Sequence, residues 1–362
     1  MELSSTLAWL VDAAADSAGA DRFLAALGAH LVSDGLPLAG GTLTLDVPHP
    51  LIARRTWLWR AGNGEVIEAL GFAPAGLATQ AGAPGEAGQR WLGGVAAGPV
   101  HEDTIGPNRD GPSLCWAGPR AFTADEADQL RQAARFAAAP LAVIASRATL
   151  IAALEAYLGR RSAARVLAAP LRRDVGESIQ AALLYADLRG FTALSDENPP
   201  TIVIAALDAW FDRIAGAVHA FGGEVLKFIG DGILAIFPIS GGAPRGACDA
   251  ALRAVAAAQA GMAHLDQERQ RQALPPLPFG AALHLGEILW GNIGAADRLD
   301  FTAIGPAVNL VSRLEGLCRP LGKSVLVSGA LAAETDVPLI ALGTHPLRGI
   351  SAPCAVFTLP ES

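Results

Sequence analysis

LLYADLRGFT (residues 183–192) and KFIGDGILAIF (residues 227–237) are apolar runs, each interrupted by a carboxylate where the chain must turn. In the first, Leu183, Leu184, Tyr185 and Ala186 are apolar on both faces of an extended chain, which is the pattern of a fully buried strand. Asp187 follows at its end, and Gly190 frees the backbone to curl. In the second, Gly230-Asp231-Gly232 separates two strand-like runs, the signature of a short hairpin with Asp231 at its tip. A carboxylate at the rim of an apolar sheet is costly to desolvate unless a cation or donors compensate it. Two of them point to a shared divalent ion. Taken singly, Asp187 also suits a helix cap and Asp231 an ordinary turn.

Three motifs stand in order along the chain: Asp187-Leu188-Arg189-Gly190-Phe191-Thr192, Lys227-Phe228-Ile229-Gly230-Asp231, and Gly305-Pro306-Ala307-Val308-Asn309 leading to Arg313. They resemble the class III nucleotidyl cyclase domain, whose members carry D-[IL]-x-G-[FY]-[TS], K-x-x-G-D and G-x-x-V-N-x-x-x-R. The resemblance covers roughly the C-terminal half. It implies an α+β catalytic domain with the ferredoxin-like palm arrangement also used by polymerases.

The totals agree with a two-domain chain. At 362 residues there is room for two domains of about 100–200 residues each. With 51% hydrophobic and 17% charged residues a large core is available, which argues against global disorder. The net charge of −8 argues against a nonspecific nucleic-acid binder. Cys115, Cys248, Cys318 and Cys354 lack metal-ligand spacing and read as reduced, buried thiols. No basic, apolar leader opens the sequence. The longest apolar candidate, residues 136–145, contains Pro140 and falls short of the ~18 residues of a membrane span. The expected location is cytoplasmic.

Helical periodicity runs through residues 1–32, with Leu7, Leu10, Val11, Phe23, Leu24, Leu27 and Leu31. Residues 42–45 and 56–59 alternate as strands around a Pro48-His49-Pro50 loop, and residues 113–117 form another short strand. Residues 72–112 are rich in Gly and Pro and read as turns and loops. Thr123 and Glu126 make a capping box ahead of a helix to Leu158, which Pro140 is expected to kink or split. Gly159 ends it, and a basic helical stretch leads to about residue 174. The expected organisation is a regulatory domain over 1–122, a helical linker over 123–174 and the catalytic domain over 175–362. The helix–strands–helix order of the first domain resembles the α/β GAF-like sensory modules that precede some bacterial cyclases; its ligand or partner is unknown. Trp57 and Trp59 read as packing residues, and His101, Glu102 and Asp103 as solvated loop residues rather than a metal cluster.

Beyond Val175 the chain reads as a strand at 181–186, a helix at 201–221, a hairpin at 224–237, a helix at 247–265 and a strand at 279–285. A second hairpin follows at 286–304, then a helix at 306–318 and short elements at 324–327, 345–348 and 355–358. Strands and helices in this order suit a sheet with helices on one side.

The turn 188–192 offers backbone N–H groups to phosphate oxygens, with Gly190, Phe191 and Thr192 in the cradle. In a regular strand Val225, Lys227 and Ile229 share one face, so Lys227 points among apolar neighbours and needs a partner. Adenine N1 is one, and the Thr302 hydroxyl can accept from the adenine 6-amino group. Guanine reverses both edges, and an unpaired polar group costs about 1–3 kcal/mol, so Lys227 favours ATP over GTP by roughly 10–100-fold. In the helix at 306–318, Asn309 and Arg313 lie together away from the apolar stripe of Ala307, Leu310, Val311, Leu314, Leu317 and Cys318.

By resemblance, Asp187 and Asp231 hold two Mg²⁺ (or Mn²⁺) ions with the Leu188 carbonyl as a further ligand. Asn309 orients the ribose and Arg313 neutralises the transferring phosphate. Arg348 stands where the family usually has a phosphate-binding lysine, and Thr302 where it more often has Asp. The family's metal carboxylates and its Lys/Thr/Asn/Arg set meet across a homodimer interface. The implied enzyme is an adenylate cyclase converting ATP to 3′,5′-cyclic AMP in intracellular signal transduction. A guanylate cyclase or a catalytically silent nucleotide sensor is the alternative, favoured respectively by a carboxylate in place of Lys227 or by loss of a motif residue, and neither feature is present.

Overall fold

The structure, a computed structural model, describes residues 4–46, 52–72, 86–105, 112–168, 176–239, 241–295 and 297–360. The Pro48-His49-Pro50 loop, the handover at 169–175 and most of the Gly/Pro-rich stretch lie outside the described residues. The chain divides into two compact units, Met1–Ala153 and Leu154–Ser362.

In the first unit the N-terminal periodicity produces two helices, α1 (Ser5–Asp12) and α2 (Ala20–Ser33), because the small, polar stretch between them breaks the stripe. Strands β1 (Gly40–Asp46), β2 (Ile52–Arg60) and β3 (Val66–Phe72) precede helix α3 (Glu86–Val95) and strands β4 (His101–Thr104) and β5 (Ser113–Ala117). They form an antiparallel sheet of order β3-β2-β1-β5-β4. Phe23, Leu24 and Leu27 of α2 pack with Leu43, Trp59, Leu114 and Trp116 of the sheet. Trp59 and Trp116 meet edge to face at 6.2 Å, so the tryptophans are core residues.

Helix α4 (Ala124–Leu158) starts on the expected capping box: the Thr123 N–H donates to Glu126 at 2.8 Å, and the Glu126 N–H to the Thr123 hydroxyl at 3.3 Å. Pro140 is buried inside it and does not split it. Leu130, Ala133, Ala137, Leu141 and Ile144 lock one face into the core. Contrary to the sequence expectation, α4 is long and apolar enough to cross a membrane by length and composition, with a mean hydropathy of 1.7 over an 18-residue window. Its alanines carry apolar character well past the run at 136–145. A cavity of about 620 Å³ opens beside Asp21, Arg55, Trp57, Glu68 and Arg147.

The second unit begins with α5 (Arg160–Ala168) and β6 (Gly176–Leu188), followed by α6 (Phe191–Glu197), α7 (Pro200–Ala220) and the hairpin β7 (Glu224–Ile229) and β8 (Gly232–Pro238). Then come α8 (Arg245–Arg271), β9 (Phe279–Gly294), β10 (Leu299–Ile304), α9 (Pro306–Glu315), β11 (Val325–Ser328), α10 (Gly329–Ala332), β12 (Ile340–His345) and β13 (Cys354–Thr358). Strand β9 merges the separate strand and first hairpin arm expected from sequence, because Gly286 does not break it. No strand covers residues 346–348.

The sheet order is β12-β13-β11-β9-β6-β8-β7, with β10 added to β9. Strand β6, apolar on both faces, sits near its centre between β8 and β9. Helices cover both faces, not one. Trp210 and Ile214 of α7 and Val255 of α8 pack against Leu184, Ala186 and Ala235. Ala307, Val311 and Leu314 of α9 pack on the opposite side against Leu183, Leu234 and Ala282. A strand buried on both sides needs both layers. Cys115, Cys248 and Cys318 are buried free thiols, whereas Cys354 is half-exposed.

Candidate active site

Asp187 ends β6 and faces glycine on both neighbouring strands: Gly232 of β8 and Gly280 of β9. Those glycines make room for carboxylates. A Cβ at Gly232 would lie 2.7 Å from the Tyr185 hydroxyl and 3.1 Å from Asp187 Oδ1, and one at Gly280 only 2.1 Å from Glu315 Oε1. Asp231 is delivered by the two-residue turn between β7 and β8, where Gly230 takes φ +63° as the first central position of such a turn requires. The buried Trp210 of α7 fixes this tip by donating its indole N–H to the Asp231 carbonyl at 3.0 Å.

Asp187 stands opposite Gly232, so the Asp231 carboxyl comes close enough to act on that of Asp187. Burial first, then the charge and hydrogen bond of Asp231, push the Asp187 carboxyl up to about 6. Glu315, at the end of α9, joins them electrostatically: burial and the charge of Asp187 push it to about 7 against the opposing pull of Arg189. Two neighbouring acids, with a third carboxylate nearby, form a site whose negative charge a divalent cation would compensate, and this fits Asp187 and Asp231 as the pair of metal ligands expected from sequence. Among the described residues no group of three His, Cys, Asp or Glu side chains has metal-binding geometry. The Leu188 side chain is buried in the core, leaving only its backbone available to an ion. Glu315 was not singled out from sequence; its signal is its place two residues after Arg313.

The turn after Asp187 is built on Gly190 in the left-handed region (φ +76°), capping α6. Phe191 packs against the core, and Thr192 is exposed. The structure thus keeps these residues at a strand-to-helix turn.

Lys227 departs from the expectation. The ladder of β7 with β8 shifts between Val225 and Lys227, so Val225 faces Ala235 while Lys227 faces Leu234. Adjacent residues of β8 point to opposite faces, so the bulged residue, Leu226, carries Lys227 away from the face of Val225. Its side chain is 41% exposed, not buried, and its ammonium donates to Asp300 of β10. Thr302 is 9% exposed on the same strand.

On α9, Ala307, Val311 and Leu314 are buried and Asn309 and Arg313 are exposed, as the periodicity predicts. The Arg313 guanidinium donates to the carbonyl of Arg348, whose side chain is exposed. Among the described residues no hydrogen bond or ion pair joins Asp187 or Asp231 to Lys227, Thr302, Asn309 or Arg313.

In the first unit, His101 pairs with Asp103 at 2.9 Å, and Glu102 accepts from Gln89 at 2.5 Å. Each polar group there has a protein partner and none is arranged around an ion.

Residues 175–334 match the adenylate and guanylate cyclase catalytic domain family. An adenylate cyclase of Anabaena cylindrica is 31% identical over 160 residues, 43% of this chain and 31% of that protein. Adenylate cyclase 1 of Rhizobium meliloti is 31% identical over 176 residues, 48% of this chain and 26% of that protein. The matches therefore span a third or less of these relatives. The structure of a bacterial light-regulated adenylyl cyclase shares the fold, with a TM-score of 0.53 and 20% identity over 75% of this chain and 87% of that one. With its three motifs at the end of β6, on the β7–β8 hairpin and along α9, the C-terminal segment belongs to the class III nucleotidyl cyclase catalytic domains.

Proposed function

We propose that the protein is an adenylate cyclase that converts ATP to 3′,5′-cyclic AMP and pyrophosphate in a homodimer. The observation that carries this reading is the placement of Asp187, at the end of a buried strand, opposite Gly232, which brings Asp231 of the hairpin tip beside it. In the reaction the ribose 3′ oxygen bonds to the α-phosphorus, the bond from that phosphorus to the β-bridging oxygen breaks, and the hydroxyl proton is released. Two divalent ions, Mg²⁺ or Mn²⁺, supply Lewis-acid activation of the 3′ hydroxyl and neutralise the leaving pyrophosphate when bound.

The chain's own residues do the rest. Asp187 and Asp231 hold the ions, with the Leu188 carbonyl beside them. Gly190, Phe191 and Thr192 present backbone N–H groups to phosphate oxygens. Lys227 donates to adenine N1 and the Thr302 hydroxyl accepts from the 6-amino group. Asn309 orients the ribose, Arg313 stabilises charge on the transferring phosphate, and Arg348 approaches the terminal phosphates.

Two copies are required because the acidic pair and the Lys/Thr/Asn/Arg set make no mutual contact in one chain. Exposed apolar side chains support a second copy: Phe228, Ile229, Leu289 and Ile304 in the catalytic unit. Phe136, Val143, Leu150 and Tyr157 add a stripe at seven-residue spacing on α4, the period of a coiled-coil seam. In this reading the first unit is a GAF-like regulatory module acting through α4 in the cytoplasm, and its cavity takes the input ligand.

The test is product analysis with the purified full chain, Mn²⁺ or Mg²⁺, and ATP and GTP side by side. Cyclic AMP as the main product supports the proposal. Cyclic GMP in excess makes it a guanylate cyclase, and no cyclic product from either nucleotide ends the enzyme reading.

A further inference from the structure

We propose that Asp300 is the positioning residue for Lys227, and that the two together read the purine edge. The proposal rests on the adenylate cyclase reading and adds a residue to its base-recognition site.

Three observations converge. The bulge at Leu226 turns Lys227 to the face of Leu234. There its ammonium donates to the Asp300 carboxylate, joining β7 to β10. Asp300 and Thr302 are two apart in β10, so their side chains share one face of that strand. Lys227, Asp300 and Thr302 thus form one constellation, in which the two charged groups remain 41% and 47% exposed and open to a ligand.

The hydrogen-bond inventory explains why the pairing matters. An ammonium has three donors and no acceptor; a carboxylate has two oxygens and no donor. Lys227 can give one N–H to Asp300 and still present another to adenine N1. The Asp300 carboxylate can accept from Lys227 and keep lone pairs for an exocyclic amino group. Thr302, whose hydroxyl both donates and accepts, discriminates poorly between a 6-amino and a 6-oxo group by itself. A carboxylate beside it is acceptor-only and does discriminate. Without Asp300 the flexible four-carbon stem of Lys227 has no fixed direction, and the ammonium loses its register with the base.

The experiment uses the full chain and four variants: Asp300→Asn, Asp300→Ala, Asp300→Glu and the exchange Lys227→Asp/Asp300→Lys. It measures kcat and KM for ATP and GTP with Mn²⁺, and calorimetric binding of both nucleotides with Ca²⁺. For Asp300→Asn and Asp300→Ala the ATP KM should rise roughly tenfold, about 1.4 kcal/mol of binding, with kcat changed far less. The ATP-to-GTP ratio of kcat/KM should fall by a similar factor. Asp300→Glu should recover most of the ratio, and the exchange should favour GTP by presenting a carboxylate where the ammonium stood. An unchanged ratio in Asp300→Asn and Asp300→Ala overturns the proposal, as does a fall in kcat alone. If the unaltered chain makes no cyclic nucleotide, the enzyme reading fails, and the binding ratios still decide the role of Asp300. If it binds neither nucleotide, both readings fall.

Discussion

Glu224 caps the first turn of α5 from 62 residues away: its Oε1 accepts from both the backbone N–H and the hydroxyl of Ser162, each at 3.0 Å. The carboxylate is 5% exposed, and Gly159 just before the helix takes φ +79° close against it. A helix N-terminus leaves N–H groups without partners, and a buried carboxylate compensates them. Removing the hydroxyl with Ser162→Ala should cost about 1 kcal/mol and Glu224→Ala about 2–3 kcal/mol, read as shifts in the denaturation midpoint. Equal stability of Glu224→Ala and the unaltered protein would refute the capping role.

Asp187 gives a pH dependence of known sign. Its folded value, about 6, lies above its ordinary 3.8, so the protonated acid is favoured by folding. The stabilisation is complete below about pH 4 and is lost as pH rises through about 6. Metal-free protein should therefore weaken from pH 4 to 7. Asp187→Asn should be more stable than the parent at pH 7 by about 1–2 kcal/mol, after allowance for screening of a half-exposed group, and should gain nothing at pH 4. Mn²⁺ should raise the Tm of the parent at pH 7 and leave that of Asp187→Asn nearly unchanged.

Gly280 is a space requirement. One of its Cα hydrogens faces Glu315, and Gly280→Ala would place a methyl 2.1 Å from the Glu315 carboxylate. Displacing that side chain should destabilise the protein by about 1–3 kcal/mol. Gly280→Ala combined with Glu315→Ala should recover part of the loss, measured as a double-mutant cycle in urea.

Composite sites predict complementation between inactive variants. Asp231→Ala removes a metal ligand and Arg313→Ala the exposed cation of α9. Each homodimer should be inactive in a cyclic AMP assay. Mixing and re-forming dimers should restore about a quarter of the parent activity, since half of the dimers are mixed and each has one intact site. Mixed dimers without activity would contradict the shared site.

The acidic pair was legible in sequence because both aspartates sit at chain reversals beside glycines, where local pattern and three-dimensional position coincide. The apolar stripe of α9 was equally legible, and with it the exposure of Asn309 and Arg313. What escaped was long-range or depended on register. Strict alternation put Lys227 with Val225, and only the pairing with β8 reveals the extra residue. Asp300 carries no local mark of its partner, which comes from another strand. Gly286 resembled a break because a glycine's tolerance for turns says nothing about the neighbours that hold it extended in β9. The second helical layer was missed because α9 reaches its face of the sheet by chain path, not by composition.

The inserted position at Leu226 makes the register of β7 as consequential as its chemistry. Deleting Leu226 would leave Lys227 opposite Leu234, whereas pairing Leu226 into a regular ladder would swing the neighbouring cation to the face of Ala235, which packs in the core with Trp210. Every side chain from there to the hairpin tip would change sides with it. Substitutions along this strand are thus graded in their effects, whereas a slip of register is all or none.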